Sequence, residues 1–241
     1  KIISCINSYH GSTNGSLSYM GSEKFKTKYR PLLPGSIQIG FNTIKDLNKI
    51  NRDVAAIIIE PIQGGTGFIP AQKKWLKEIR RICDQFKIIL IFDEIQTCFG
   101  RTGKLFGFEN YNIVPDILCL AKGMGGGMPI GCFISSHKHM SKLSKNPPLG
   151  HITTFGGHPI SCTAALTTLN ELIKSNIIKE IKEKEMLFRN HLQHNEIVEI
   201  SGMGLMLALK FKNKTICKRV IKECYKKGLL TFYFLNEKKC M

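Results

Sequence analysis

Four runs of consecutive apolar residues stand out in the first 140 positions: 54–60, 88–93, 117–121 and 130–135. None alternates in the way a strand with one wet face would. They read as strands of a parallel sheet covered on both sides. The opening Lys-Ile-Ile-Ser-Cys reads as the start of another strand. Between the first two runs, 71–86 carries Trp75, Ile79, Ile82 and Phe86 at helical spacing, with Trp75 as the core-facing anchor. Such a strand–helix–strand unit predicts a right-handed crossover in an α/β sheet. Glycine and proline clusters at 31–35, 64–67, 123–129 and 147–150 separate the units. After Pro159 a helical stretch runs toward His194. The pattern then changes. Segments 196–201 and 205–211 read as strands, 215–227 as a helix and 229–235 as a strand, the start of a second, smaller α/β unit.

The apolar runs end in polar residues. The first ends in Glu60, the second in Asp93, Glu94 and Gln96, the third in Lys122. Open α/β sheets bind ligands outside the carboxyl ends of their strands. Glu60, Asp93, Gln96 and Lys122 are therefore expected to face one crevice. Each alone has a plainer reading, as a turn cap or a solvated side chain. The glycine run Gly123-Met-Gly-Gly-Gly-Met-Pro129 is not G-x-G-x-x-G, because its sixth position is Met128. It is not a P-loop either, because Lys122 precedes the glycines. Rossmann dinucleotide binders and P-loop NTPases are disfavoured.

Composition narrows the rest. The chain has 241 residues, 43% of them hydrophobic, enough for a substantial core. No apolar run approaches the roughly 20 residues of a membrane span. The net charge is +17. The basic residues are 28 Lys against 7 Arg, and Ile outnumbers Val by 32 to 4. Lys and Ile both have A/T-rich codons, whereas phosphate and base readers favour Arg. The charge therefore reads as compositional drift, and no nucleic-acid partner is expected. Nine cysteines without a C-x-x-C pair fit free thiols in a reducing, cytoplasmic setting. No zinc-ligand spacing occurs, and His191 and His194 read as solvated residues at a helix end, so no metal is expected.

Further motifs follow in a fixed order. They are Glu60-Pro-Ile-Gln-Gly-Gly-Thr-Gly67, Phe92-Asp-Glu-Ile-Gln96, Phe99-Gly-Arg-Thr-Gly103, Ala121-Lys-Gly-Met-Gly-Gly-Gly127 and Thr153-Thr-Phe-Gly-Gly157, with Tyr9-His-Gly-Ser12 upstream. Together the series resembles the class III pyridoxal-phosphate aminotransferases, the acetylornithine/ornithine aminotransferase-like group. The resemblance covers most of 1–170 and, more weakly, the tail. It implies a fold-type-I large domain over 1–170, a mostly parallel sheet with helices on both faces. Residues 171–241 would be a connecting helix and the start of a small α/β domain, both domains incomplete.

The resemblance also implies roles, with pyridoxal 5'-phosphate as cofactor. Lys122 matches the Schiff-base lysine, which also shuttles a proton. Asp93 matches the carboxylate facing the pyridine nitrogen. Gln96 matches the partner of the ring hydroxyl, and Tyr9 the aromatic stacked on the ring, with His10 beside it. Thr154 matches a hydroxyl reaching the phosphate of a neighbouring subunit, which implies a homodimer with shared sites. Glu60 matches an active-site wall carboxylate. The implied reaction moves an amino group from an amino acid or ω-amine to a 2-oxo acid such as 2-oxoglutarate. Isomerisation or decarboxylation on the same fold, or a catalytically incomplete fragment, are the alternatives.

Two positions depart from the ornithine-type pattern: Ser12 stands where an Arg is usual and Gly65 where a Glu is usual. The family's phosphate-cradling loop would lie upstream of Lys1, and its carboxylate-binding arginine downstream of Met241. A piece of a longer protein is the expectation.

Overall fold

The structure is a computed structural model that describes residues 1–145 and 147–241. Its strands are β1 (Ile2–Cys5), β2 (Ser36–Ile39), β3 (Ala56–Ile59), β4 (Ile62–Gln63), β5 (Ile69–Pro70), β6 (Ile89–Asp93), β7 (Ile117–Leu120), β8 (Cys132–Ser135), β9 (Ile197–Met203) and β10 (Met206–Phe211). Its α-helices are α1 (Asn14–Ser18), α2 (Lys73–Phe86), α3 (His137–Met140), α4 (Pro159–Lys174), α5 (Ile177–His191) and α6 (Lys214–Lys226). One six-stranded sheet runs in the order β2-β1-β3-β6-β7-β8. Its first five strands pair in parallel, as the continuous apolar runs predict.

The core lies where this sheet meets α2. Ile3, Ile57, Ile59, Leu90 and Phe92 of the sheet are fully buried, as are Trp75, Leu76, Ile79 and Cys83 of the helix. Phe41 closes edge-on against Trp75, ring centroids 5.2 Å apart. Burying each aliphatic side chain contributes about 1.5–3 kcal/mol, so this seam outweighs any polar contact in the chain.

Three expectations need correction, and one strand was not foreseen. The run at 130–135 forms β8, but β8 pairs antiparallel with β7. A parallel neighbour needs a crossover of about a dozen residues or more, usually a helix. Here the chain turns back through a 3₁₀ segment, Lys122–Gly125, and re-enters beside the strand it left. The long helix expected after Pro159 is two helices, broken at Ser175 and Asn176, residue types of low helix propensity. Segment 229–235 is not a strand. Instead, the last residues pair with β10, where Leu209 and Met241 exchange backbone bonds of 2.8 and 3.0 Å. Finally, Ser36–Ile39 is a strand the apolar pattern did not reveal, a four-residue edge that alternates in character.

β9 and β10 form a separate antiparallel pair. The motif Phe99-Gly-Arg-Thr-Gly103 joins this part to the large sheet. A Cβ on Gly100 would stand 3.2 Å from Ile178 of α5, and one on Gly204 would stand 2.4 Å from the Arg101 carbonyl. The Arg101 carbonyl also accepts a bond from Leu205 N at 2.9 Å. The motif thus serves as a docking platform for α5 and the β9–β10 turn.

Candidate active site

The residues at the ends of four adjacent strands, β1, β3, β6 and β7, converge on one cleft of about 830 Å³. The chain leaving β1 brings Tyr9 and His10, β3 delivers Glu60, β6 delivers Asp93 and then Gln96, and β7 delivers Lys122. Six of the seven residues singled out from the sequence therefore line a single cavity. Thr154 does not. It is exposed and lines a different cavity of about 520 Å³, beside Pro129, Gly131 and His158.

Asp93 sits at the bottom, nearly buried. His10 Nδ1 lies 2.8 Å from Asp93 Oδ2, and both side chains are almost wholly out of water. A carboxylate can only accept, so the Nδ1 proton sits between them. The other oxygen, Oδ1, accepts the Ile95 N–H at 3.1 Å. His10 Nε2 is buried and has no partner among the described residues.

Glu60 is the second buried carboxylate. Its Oε1 accepts the Tyr9 N–H at 3.0 Å and its Oε2 the Gly64 N–H at 2.9 Å. Burial pushes its acid up to about 7, against the pull of His10 and the two amides, and the charge of Asp93 adds to the rise. Gln96 packs against Gly64, where an added Cβ would stand 2.1 Å from Gln96 Oε1. Only glycine allows that approach.

Lys122 extends into the cleft from a strained backbone. It has φ +48°, in the left-handed region that costs a non-glycine residue about 1–2 kcal/mol. Strain of this kind persists where the surroundings impose it, and it gathers at functional sites. Gly126, four residues on with φ +56°, lets α4 cross close by: a Cβ there would stand 2.3 Å from Thr168 Oγ1. Tyr9 lines the cleft and is 40% exposed.

A profile of aminotransferase class-III matches residues 1–238. The chain belongs to the class-III aminotransferase family. It is 39% identical over 251 residues to a putrescine aminotransferase of Pectobacterium atrosepticum, covering 98% of this chain and 53% of that one. It is 40% identical over 236 residues to an acetylornithine aminotransferase of Caldanaerobacter subterraneus, covering 95% of this chain and 59% of that one. The fold superposes at a TM-score of 0.91 and 28% identity on an ornithine aminotransferase of Toxoplasma gondii that shows partial occupancy of PLP at its active site, covering 100% of this chain and 58% of that one. This class-III chain thus spans between half and two thirds of the relatives it matches.

Two contributions to this class-III cleft had no clear signal in the sequence. Phe232 and Tyr233, stacked with centroids 5.4 Å apart, line it from the tail, where the sequence pattern had pointed to a strand. Asn236 ties that tail to the rim, its N–H donating to the Gly65 carbonyl at 3.0 Å and its side-chain amide to Asn7 at 3.1 Å. Glu94 turns away from the cleft and accepts from Phe108 N at 2.7 Å and Thr97 at 3.1 Å, and also from Gly107 N. Burial pushes its acid up to about 7. Only the run of three aromatics at 232–234 hinted at the tail's part in the cleft.

Proposed function

We propose that this chain is the central part of a pyridoxal-phosphate-dependent aminotransferase. It would move an amino group from a primary amine or amino acid to a 2-oxo acid, 2-oxoglutarate being the first to test. The observation that carries the reading is the convergence of one lysine, two buried carboxylates, an imidazole, an amide and an aromatic ring at the carboxyl ends of four neighbouring strands. The donor set fits a protonated, electron-poor heteroaromatic ring. Tyr9 offers a bare face for stacking, Asp93 a buried anion held by His10, and Gln96 an amide free to meet a ring substituent.

When bound, pyridoxal phosphate supplies an aldehyde that takes up amines and a ring that draws electrons from the adjacent carbon. The protein's own work is then to orient and to move protons. Lys122 would hold the cofactor through its amine and, once displaced by substrate, carry a proton to and from the substrate's α carbon. Asp93 would face the ring nitrogen, and His10 would keep that carboxylate in place. Gln96 would meet the ring hydroxyl, and the Tyr9 ring would cover the cofactor face.

Thr154 stands apart from the cleft, in keeping with a hydroxyl that serves the phosphate of a second copy. Homodimerisation belongs to the same proposal. So do a cytosolic setting and the division into a large domain over 1–170 and a smaller one beyond. Ser12 and Gly65 argue for a donor other than ornithine or acetylornithine.

The test is to add pyridoxal phosphate to the purified chain and record its visible absorption, wild type beside Lys122→Ala. A band of lysine-held cofactor in the wild type alone is the expected result. A band of equal strength in both variants overturns the role given to Lys122. Donor amines are then screened with 2-oxoglutarate, with glutamate formation and an accumulating carbonyl product as the readouts of transamination.

A further inference from the structure

Tyr9, Gly64 and Gln96 come from three separate segments, following β1, β4 and β6. Something must hold them in mutual register, and one side chain touches two of the three. Glu60 Oε1 takes the Tyr9 N–H and Oε2 the Gly64 N–H. Gly64 in turn presses on Gln96 so closely that a Cβ there would stand 2.1 Å from Gln96 Oε1 and 3.1 Å from Glu60 Oε2. A shift of the Gly64 turn therefore moves Gln96 as well. From this geometry we infer that Glu60 is a positioning residue: its carboxylate clamps the backbones of Tyr9 and Gly64, and so sets where the Tyr9 ring and the Gln96 amide stand. What they face rests on the proposed function; the clamp itself does not.

The alternative is a Glu60 that handles a substrate proton directly. Both of its oxygens are engaged with backbone N–H groups on opposite sides, which is the geometry of a brace. The charged and titratable groups packed around it are His10 from the β1 end, Asp93 from the β6 end and the Cys5 thiol of β1, while Lys122 lines the same cleft. Burial holds the Glu60 acid near 7. Protonation would set a hydroxyl against one of the two N–H donors and loosen the clamp. Cofactor affinity should then fall as pH drops from about 8 to about 6, in the window given by that raised value.

The experiment uses the full chain without cofactor. Amide hydrogen exchange is followed by NMR at Tyr9 and Gly64 in wild type, Glu60→Gln and Glu60→Ala. Pyridoxal-phosphate affinity is measured across the same pH range. The two amides should lose protection together in Glu60→Ala, by about tenfold, the scale of one buried hydrogen bond. Glu60→Gln keeps one acceptor, so one of the two amides should stay protected. Affinity should weaken by about tenfold in Glu60→Ala, by less in Glu60→Gln, and the pH dependence should flatten in both. His10→Asn should leave the two amides protected, and because it removes the imidazole that pulls the Glu60 acid down, it should move the pH window upward.

Unchanged protection at Tyr9 and Gly64 in Glu60→Ala overturns the clamp. So does lost protection with unchanged affinity. A Glu60→Gln chain with normal amides and normal affinity but abolished turnover would make Glu60 catalytic instead. If Glu60→Ala does not fold, the near-isosteric Glu60→Gln carries the test. A wild type that takes up no cofactor would overturn the proposed function, while the exchange data would still decide the clamp.

Discussion

The large sheet and the helices that follow it make opposite use of apolar residues. In β1, β3, β6 and α2 most of the large apolar side chains are buried, many of them completely. In α4, Ile160, Leu166 and Ile173 are 61, 58 and 63% exposed, and the buried residue of that helix is Ser161. Helix α5 buries Ile181 but leaves Met186, Leu187 and Phe188 about half in water. The sheet carries its own core. The later helices present apolar surface that the described residues do not cover, and they join the sheet through glycine-permitted contacts and a few backbone bonds. The difference shows a division of labour. One region supplies stability and nearly all the candidate chemistry. The other supplies a wall of the cleft and stays adjustable.

The sharpest way to break that comparison is truncation in each region. Leu90→Ala or Ile57→Ala should cost about 2–5 kcal/mol in denaturant unfolding, because both side chains are fully enclosed. Equal costs for Leu90→Ala and Leu166→Ala would abolish the distinction.

A second effect concerns pH. Burial raises Glu94, like Glu60, from 4.5 to about 7. The folded state then holds the proton more tightly than the unfolded state. Stability is full below about 4.5, is lost as pH rises toward 7, and levels off above that. The loss is on the order of 3 kcal/mol for Glu94. Glu94→Gln carries no such titration, so the stability difference between wild type and this variant should drift with pH through that window. Thermal midpoints taken from pH 4 to 8 check it, and parallel curves would refute it.

A smaller effect should appear at the latch between the regions. Asn236→Ala removes the amide bond to Asn7, worth about 1 kcal/mol. Gly65→Leu should act similarly, since even a Cβ at 65 would stand 3.3 Å from Asn236 Nδ2. Faster hydrogen exchange over 229–241, with the β6 amides unchanged, is the expected pattern in both.

The smallest effect should come from Leu166→Ala, within about 0.5 kcal/mol for an exposed position in the isolated chain. A cost that grows with protein concentration would instead place α4 in a subunit contact and sharpen the homodimer proposal.

These contrasts follow what could and could not be read in the sequence. The inner strands of the sheet are continuous apolar runs, and their polar ends mark the crevice, so Glu60, Asp93, Gln96 and Lys122 could be placed together from the sequence alone. The direction of β8 could not be read, because its residues suit either pairing and the short connection decides. β2 is too short and too mixed to stand out. The bonds of Glu60 were invisible for a simpler reason: its partners are backbone amides, which nearly every residue has. The exposed faces of α4 and α5 looked like ordinary helices, since periodicity shows which residues are apolar and not whether anything covers them. Thr154 was found by its motif, but its separation from the cleft depends on tertiary structure alone.

The left-handed backbone at Lys122 has an evolutionary side. Replacing this lysine by glycine would release a penalty of about 1–2 kcal/mol, at or above the roughly 0.5–1 kcal/mol that glycine costs through its floppier unfolded chain. Selection for robustness alone would therefore drift away from the lysine. A library sorted only for thermal endurance should lose the lysine early, whereas one sorted for the proposed function should keep it.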